Sequence, residues 1–243
     1  MRTIRAFTEQ SLSPGLEVEL EPGPARHLVR VLRQQSGHRL ALFNGDGFEY
    51  FGTITATGPG DRCSVAVDER RSVQVESPLD ITLVQAVARG DRMGYSIQKA
   101  CELGVSAIQP VFTERTEVRL EGKRADKRRH HWQQVAVAAC EQSGRVHVPA
   151  VEPPAALTAL AWPAGRLVHL DPQAERSLGR IEAPDADGVV LFIGPEGGLT
   201  ERETAWLERQ GSTGVRLGPR ILRTETAGPA AIAALQTAFG DWQ

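Results

Sequence analysis

Around residues 72–78 the hydrophobic period of the chain changes, and that change limits the folds open to it. Before it, short apolar–polar alternations broken by turn residues read as strands. Segments 39–43 and 48–55 flank Asn44-Gly45-Asp46-Gly47, the pattern of a hairpin closed by a glycine-rich turn. With further strand candidates at 3–7, 17–20 and 63–67, this part predicts a small β-barrel or sandwich. Its one expected helix, 26–33, sets basic residues three or four apart on one face. From Leu79 onward apolar strands alternate with amphipathic helices, as in a largely parallel α/β sheet. Strands are predicted at 81–87, 105–112, 146–151, 166–170, 188–193 and 214–217, and helices at 93–103, 126–142 and 226–239. The division expected is therefore residues 1–72 and residues 73–243.

Several function classes are disfavoured. No apolar run of about 18 residues is present, and the polar start of the chain lacks a signal core, which predicts a cytoplasmic protein away from membranes. Cys63, Cys101 and Cys140 are too few and too far apart for a disulfide framework or a zinc site, and no metal is expected. His130 and His131 are neighbours on a helix, point about 100° apart and cannot chelate one ion together. The net charge of −2 hides a segregation. No acidic residue occurs between Pro22 and Phe43, where Arg26, Arg30, Arg33 and Arg39 lie. A second basic run joins Lys123, Arg124, Lys127, Arg128 and Arg129. Either run alone reads as a solvated face, whereas two in one chain point to a polyanion such as RNA.

Two segments carry candidate chemistry. Residues 189–200 form an apolar strand that enters Gly194-Pro195-Glu196-Gly197-Gly198 and then a helix, with Thr200 and Glu203 at capping-box spacing. Glycines at the carboxyl end of an α/β strand let a ligand approach the backbone, although such a turn is as readily explained as structural. Neither GxGxxG nor a P-loop is present, which disfavours nicotinamide and nucleoside-triphosphate enzymes. In the second segment, residues 217–227, Ile221 and Leu222 are large apolar residues in a polar loop. They require burial, either against the chain's own core or against an adenine-sized ligand. Arg220 and Arg223 beside Glu225 read either as an exposed ion-pair cluster or as cations for a developing negative charge.

These two segments, with Gln98-Lys99-Ala100-Cys101-Glu102-Leu103-Gly104-Val105 and Cys140-Glu141-Gln142-Ser143-Gly144-Arg145, resemble the motifs of the SPOUT methyltransferases. More specifically, the chain resembles the ribosomal RNA small subunit methyltransferase E family across nearly its whole length. The resemblance implies an α/β SPOUT trefoil-knot domain preceded by a small PUA-like, RNA-binding β-barrel. It also implies a homodimer that moves a methyl group from S-adenosylmethionine to N3 of a uridine in 16S rRNA, within the assembled small ribosomal subunit. Carried onto this chain, the cofactor pocket is expected to use Leu170, Gly194, Glu196, Gly197, Leu217, Gly218, Ile221, Leu222, Thr226 and Ala227. Arg223 or Arg220 is expected to stabilise charge on the uracil ring, with Glu196 as a weaker candidate base. RNA contacts are expected from Arg26, Arg30, Arg33, Gln98, Lys99, Glu141, Gln142 and Arg145. Carbon methylation would demand a cysteine nucleophile, but Cys101 and Cys140 fall on helical positions that read as buried packing. Gly228-Pro229 fits the last helix only if the proline falls in its first turn. The rival readings are a non-catalytic RNA-binding protein and a related methyltransferase acting on transfer RNA or another base.

Overall fold

The computed structural model describes residues 3–162, 164–184 and 188–242. Its contacts divide the chain into two units: one runs to Glu76 and takes back Cys140–Val148, and the other holds Ser77–Ala139 and the chain from Pro149 onward.

In the first unit, β1 (Arg5–Phe7), β2 (Glu17–Glu19), β3 (Arg39–Phe43), β4 (Phe48–Gly58) and β5 (Arg62–Ser72) form one sheet in the order β1-β3-β4-β5-β2. The β1–β3 pair is parallel and the others are antiparallel. Alternation sends Tyr50, Ile54, Cys63, Val65 and Val67 into a core with Leu28, Leu40 and Leu42. Strand β3 is buried on both faces, because Phe43 packs on the other side against Cys140 and Val146 of the returning segment. Arg5 fastens that segment. Its guanidinium lies 2.6 Å from Glu49, donates to the carbonyls of Cys140 (2.6 Å) and Arg145 (2.9 Å), and sits over the Phe43 ring.

The expected helix 26–33 differs in the structure. Helix α1 (Pro22–Arg26) starts earlier, on prolines suited to a first turn, and widens into a π turn over His27–Val31. Arg33 lies past its end with φ 53°, so the three arginines do not share one regular helical face.

In the second unit the order is β6 (Ile81–Ala86), α2 (Arg92–Glu102), β7 (Ala107–Phe112), α3 (Lys123–Ser143), β8 (Ala150–Val151), β9 (Ala155–Ala156), β10 (Arg166–Leu170), β11 (Val189–Ile193), α4 (Glu201–Arg209), β12 (Thr213–Val215) and α5 (Thr224–Phe239). The strands pair in the order β12-β10-β11-β6-β7-β8, with β9 also on β7, and every pairing is parallel. Fully apolar β11 is central and buried along its length. One face of β6 and β11 presents Val84, Ala86, Val190 and Phe192 to Leu207 and Trp206 of α4. The other meets α5, where a Cβ on Gly228 would stand 3.3 Å from Gln85 Oε1 and 3.6 Å from Leu83, so glycine sets the approach distance.

Two expectations are corrected here. Of the strand predicted at 146–151 only β8 forms, because the preceding residues turn back into the first unit. Pro229 lies inside α5, in its second turn, because the helix starts at Thr224, two residues before the predicted start. A proline there removes the amide that would bond the carbonyl of Glu225.

Glu76 closes the first unit. It accepts from Arg145 Nε (2.8 Å) and from the amides of Val146 (3.0 Å) and His147 (3.1 Å). Burial pushes its carboxyl up, but the Arg145 guanidinium and the two amides outweigh that and hold it below its ordinary 4.5. A carboxyl whose pKa falls on folding contributes stability above that value and loses it as pH drops through the folded pKa. Glu76→Gln is therefore expected to lower stability at neutral pH and flatten its decline below pH 4.5, read from denaturant midpoints across an acid series.

Candidate functional site

Because the sheet is parallel and β12, β10 and β11 are neighbours, the loops leaving their carboxyl ends lie side by side. They enclose a cavity of about 790 Å³, within the range of small-molecule sites. Its wall runs from Leu170 to Gln173 after β10, from Ile193 to Leu199 after β11 with Gly197 excepted, and from Leu217 to Glu225 after β12. Thr200 receives the amide of Glu203 at 3.2 Å while the Glu203 carboxylate returns to the Thr200 amide at 2.9 Å. That capping box starts α4 where the spacing predicts and fixes the outgoing end of the β11 loop. The other Glu203 oxygen accepts from the Glu114 amide at 2.8 Å, so the cap also anchors the chain after β7.

One buried hydrogen-bond chain joins the β11 loop to the start of α5. Gln85 Nε2 donates to Thr224 Oγ1 (2.9 Å), and Thr224 Oγ1 donates to the carbonyl of Gly194 (2.7 Å). Gln85 is fully buried and its Oε1 has no hydrogen-bond partner.

The charged groups divide unequally. Arg92, at the first turn of α2, lies 3.0 Å from Glu196 and 3.6 Å from Glu225 and so takes both carboxylates. Burial pushes the Glu196 carboxyl up, but its own amide, the Arg89 amide and the Arg92 guanidinium prevail and leave it below the usual carboxylate range. Arg220 and Arg223 are exposed and have no acidic partner within 4 Å among the described residues. The predicted ion pairing of these arginines with Glu225 is thus replaced by Arg92, which leaves two free cations on the rim.

Of the expected cofactor residues, Leu170, Gly194, Glu196, Leu217, Gly218, Ile221, Leu222 and Ala227 line the cavity. Gly197 and Thr226 do not. Gly197 faces Arg115, whose Cβ would lie 3.3 Å from an added side chain and whose guanidinium donates to the Gly197 carbonyl at 2.8 Å. Thr226 is exposed in the first turn of α5, its amide bonded to the Arg223 carbonyl at 2.9 Å. Ile221 is 84% exposed, so the chain's own core does not supply the burial that its type requires.

Among the expected RNA contacts, Arg26, Arg30, Arg33, Gln98 and Gln142 are exposed, with Arg30 ion-paired to Asp61. Lys99 is paired to Glu102 at 2.8 Å. Arg145 and Glu141 serve the first unit's interior instead. Arg145 is 6% exposed and locked to Glu76, and Glu141 accepts the Phe7 amide at 3.1 Å with its carboxyl pushed up by burial. Sequence reasoning missed Arg92, Asp171 and Gln173, all on the cavity wall. Asp171 follows the same strand-end rule that found Leu170, whereas a lone arginine opening a helix carries no signal.

The family model described as RNA methyltransferase domain matches residues 75–236, and that of the RNA methyltransferase PUA domain matches residues 25–67. The chain is 31% identical over 246 residues to ribosomal RNA small subunit methyltransferase E of Buchnera aphidicola, covering 99% of this chain and 98% of that one. It is similar to the crystal structure of a ribosomal RNA small subunit methyltransferase E from Neisseria gonorrhoeae bound to S-adenosyl methionine, with TM-score 0.94, 40% identity and full coverage of both chains. A Legionella pneumophila methyltransferase in complex with the same cofactor aligns with TM-score 0.94 and 37% identity over 99% of this chain and 100% of that one.

The hydrogen-bond chain through Thr224 makes a stability prediction. Thr224→Val leaves one Gln85 amide hydrogen and the Gly194 carbonyl without this partner in the interior, Gln85 keeping only its 3.2 Å bond to the Ala86 carbonyl, and is expected to cost about 1–3 kcal/mol. Thr224→Ser keeps the hydroxyl and is expected to retain most of that stability, both read from urea midpoints.

Proposed function

We propose that this chain, which belongs to the ribosomal RNA small subunit methyltransferase E family, methylates N3 of a uridine in 16S rRNA with S-adenosylmethionine as donor. The reading extends to a cytoplasmic homodimer whose second unit carries the family's trefoil knot and whose substrate is the assembled small subunit. The observation that carries it is Ile221, a large apolar side chain held almost fully open on the wall of a strand-end cavity. No helix among the described residues is long and apolar enough to cross a membrane.

The residues present fit the donor. Leu170, Leu217, Ile221 and Leu222 offer apolar surface of the kind an adenine ring buries, and the backbone of Gly218, with nothing within 4 Å of where a Cβ would stand, is open to polar atoms. When bound, S-adenosylmethionine supplies a methyl group on a positively charged sulfur. The chain's own task is alignment and charge handling. Nitrogen 3 of uracil carries a proton, and its loss leaves negative charge on the ring oxygens. Arg220 and Arg223 are the unpaired cations available to meet that charge. Glu196 is a poor proton acceptor in this arrangement, because Arg92 and two amides stabilise its ionised form. Its role is to hold Arg92, and the N3 proton leaves by ionisation to bulk solvent before the methyl is transferred. Cys101 is fully buried and outside the cavity wall, which favours attack by nitrogen over a cysteine-dependent attack by carbon. Arg26, Arg30 and Arg33, exposed on the first unit, are assigned to RNA phosphates.

Digestion of ribosomal RNA from a strain lacking the protein is expected to show the loss of one 3-methyluridine by mass spectrometry, restored by the wild-type chain. Ile221→Asp is expected to weaken S-adenosylmethionine binding at least ten-fold by calorimetry without lowering the melting temperature, since the residue is exposed in the free protein. An intact nucleoside profile together with no heat of binding to the wild-type chain would overturn the assignment.

A further inference from the structure

We propose that the exposed basic face of α3, made by Arg124, Lys127, Arg128 and His131 with Lys123 beside it, is a second contact for RNA phosphates. It rests on the reading of the chain as an RNA methyltransferase, and it uses the second basic run of the sequence, which the proposed function leaves without a role. Positions 124, 127, 128 and 131 follow the i, i+3, i+4, i+7 spacing of one helical face, and all are exposed. Trp132, Ala136 and Ala139, roughly 100° round the helix, are buried. Arg129 donates to the Val151 carbonyl at 2.8 Å, and Gln133 exchanges bonds with Pro149 and Val151 at 3.1 and 2.9 Å. The helix is thereby fixed to β8, and its basic face is presented as a rigid surface.

Folding alone does not explain this arrangement. The amino end of a helix carries a partial positive charge, so cations there are disfavoured. Lys123/Lys127 and Arg124/Arg128 are like-charged i, i+4 pairs, which also repel. None of these four has an acidic partner within 4 Å among the described residues, and Asp126 is the one carboxylate in the first turn. Two other helices of the unit follow the dipole, α4 beginning with Glu201 and Glu203 and ending with Arg209 and α5 beginning with Glu225, while the arginine that opens α2, Arg92, is paired to Glu196 and Glu225. A face that opposes the helix dipole, lacks internal counter-ions and stays exposed is complementary to a polyanion, and the RNA substrate is the polyanion of this reaction.

The test uses the full chain with Lys123, Arg124, Lys127 and Arg128 all changed to Gln, a neutral good helix former. The probes are a 16S rRNA transcript and small subunits purified from a strain lacking the enzyme. For both substrates the expected result is a rise of about ten-fold or more in KM for RNA near 0.15 M salt. The log–log salt slope of RNA affinity should fall by roughly three, as each lost phosphate contact removes about 0.7–0.9. The kcat and the S-adenosylmethionine affinity should stay unchanged, while the melting temperature rises because helix-opposing charges have gone. Unchanged KM and salt slope would overturn the proposal, and so would a lower melting temperature accompanied by weaker cofactor binding, which would make the face structural. A loss confined to small subunits, with the naked transcript bound as before, would assign the face to an acidic protein and also overturn it. Failure of the functional reading is separate: the unsubstituted chain would then neither bind the donor nor transfer a methyl group, while the two RNA-binding slopes would still decide the α3 contact.

Discussion

The hydrogen bond from Thr224 to the Gly194 carbonyl, supported from below by Gln85, is the interaction on which the cavity depends. Each end belongs to a different segment: Gly194 leaves the central strand of the sheet, and Thr224 opens the last helix. A buried polar side chain at the carboxyl end of β6 is costly unless bonded, and here one Gln85 amide hydrogen bond is spent on Thr224. Glycine at 228 allows α5 to settle close enough for that contact to form. The cavity is therefore a product of buried polar pairing within the sheet and not of the loops alone.

Electrostatics in the site follow from Arg92. One guanidinium holds two carboxylates that would otherwise compete for Arg220 and Arg223. Arg92, Arg220 and Arg223 balance Asp171, Glu196 and Glu225 on the cavity wall, so the positive charge is local to the two exposed arginines and is not a net excess. The division resembles that of the first unit, where Arg5 and Glu76 hold a distant segment by collecting backbone groups, leaving the exposed arginines of 26–33 free of any structural duty except the Arg30–Asp61 pair.

Elements with strong local signals were legible in the sequence. The apolar run of β11, the Thr200–Glu203 cap, the buried stripe of α3 and the glycine closing α2 each depend on residues within a few positions, and each lies within two or three residues of its expected place. What was not legible depends on long-range partners. Residues 146–148 have strand-like alternation, yet Glu76 takes the amides of Val146 and His147 and keeps them in the first unit. The last helix starts early because Thr224 finds a bond at Gly194, which no local pattern announces, and this carries Pro229 into the second turn. Gly197 has the sequence context of a ligand-facing glycine, but its free side is filled by Arg115. In the site, strand-end loops could be predicted, whereas Arg92 could not, since its meaning arises only from carboxylates more than a hundred residues away.

Ile221 stays open in the free protein, so this wall of the cavity is completed by a ligand and not by the fold. A ligand that binds only the folded chain stabilises it by about 2.7 kcal/mol when present at a hundred times its dissociation constant. The donor thus acts as a structural component of the Leu217–Glu225 stretch as well as a reactant, and the folded chain is more stable with it than without.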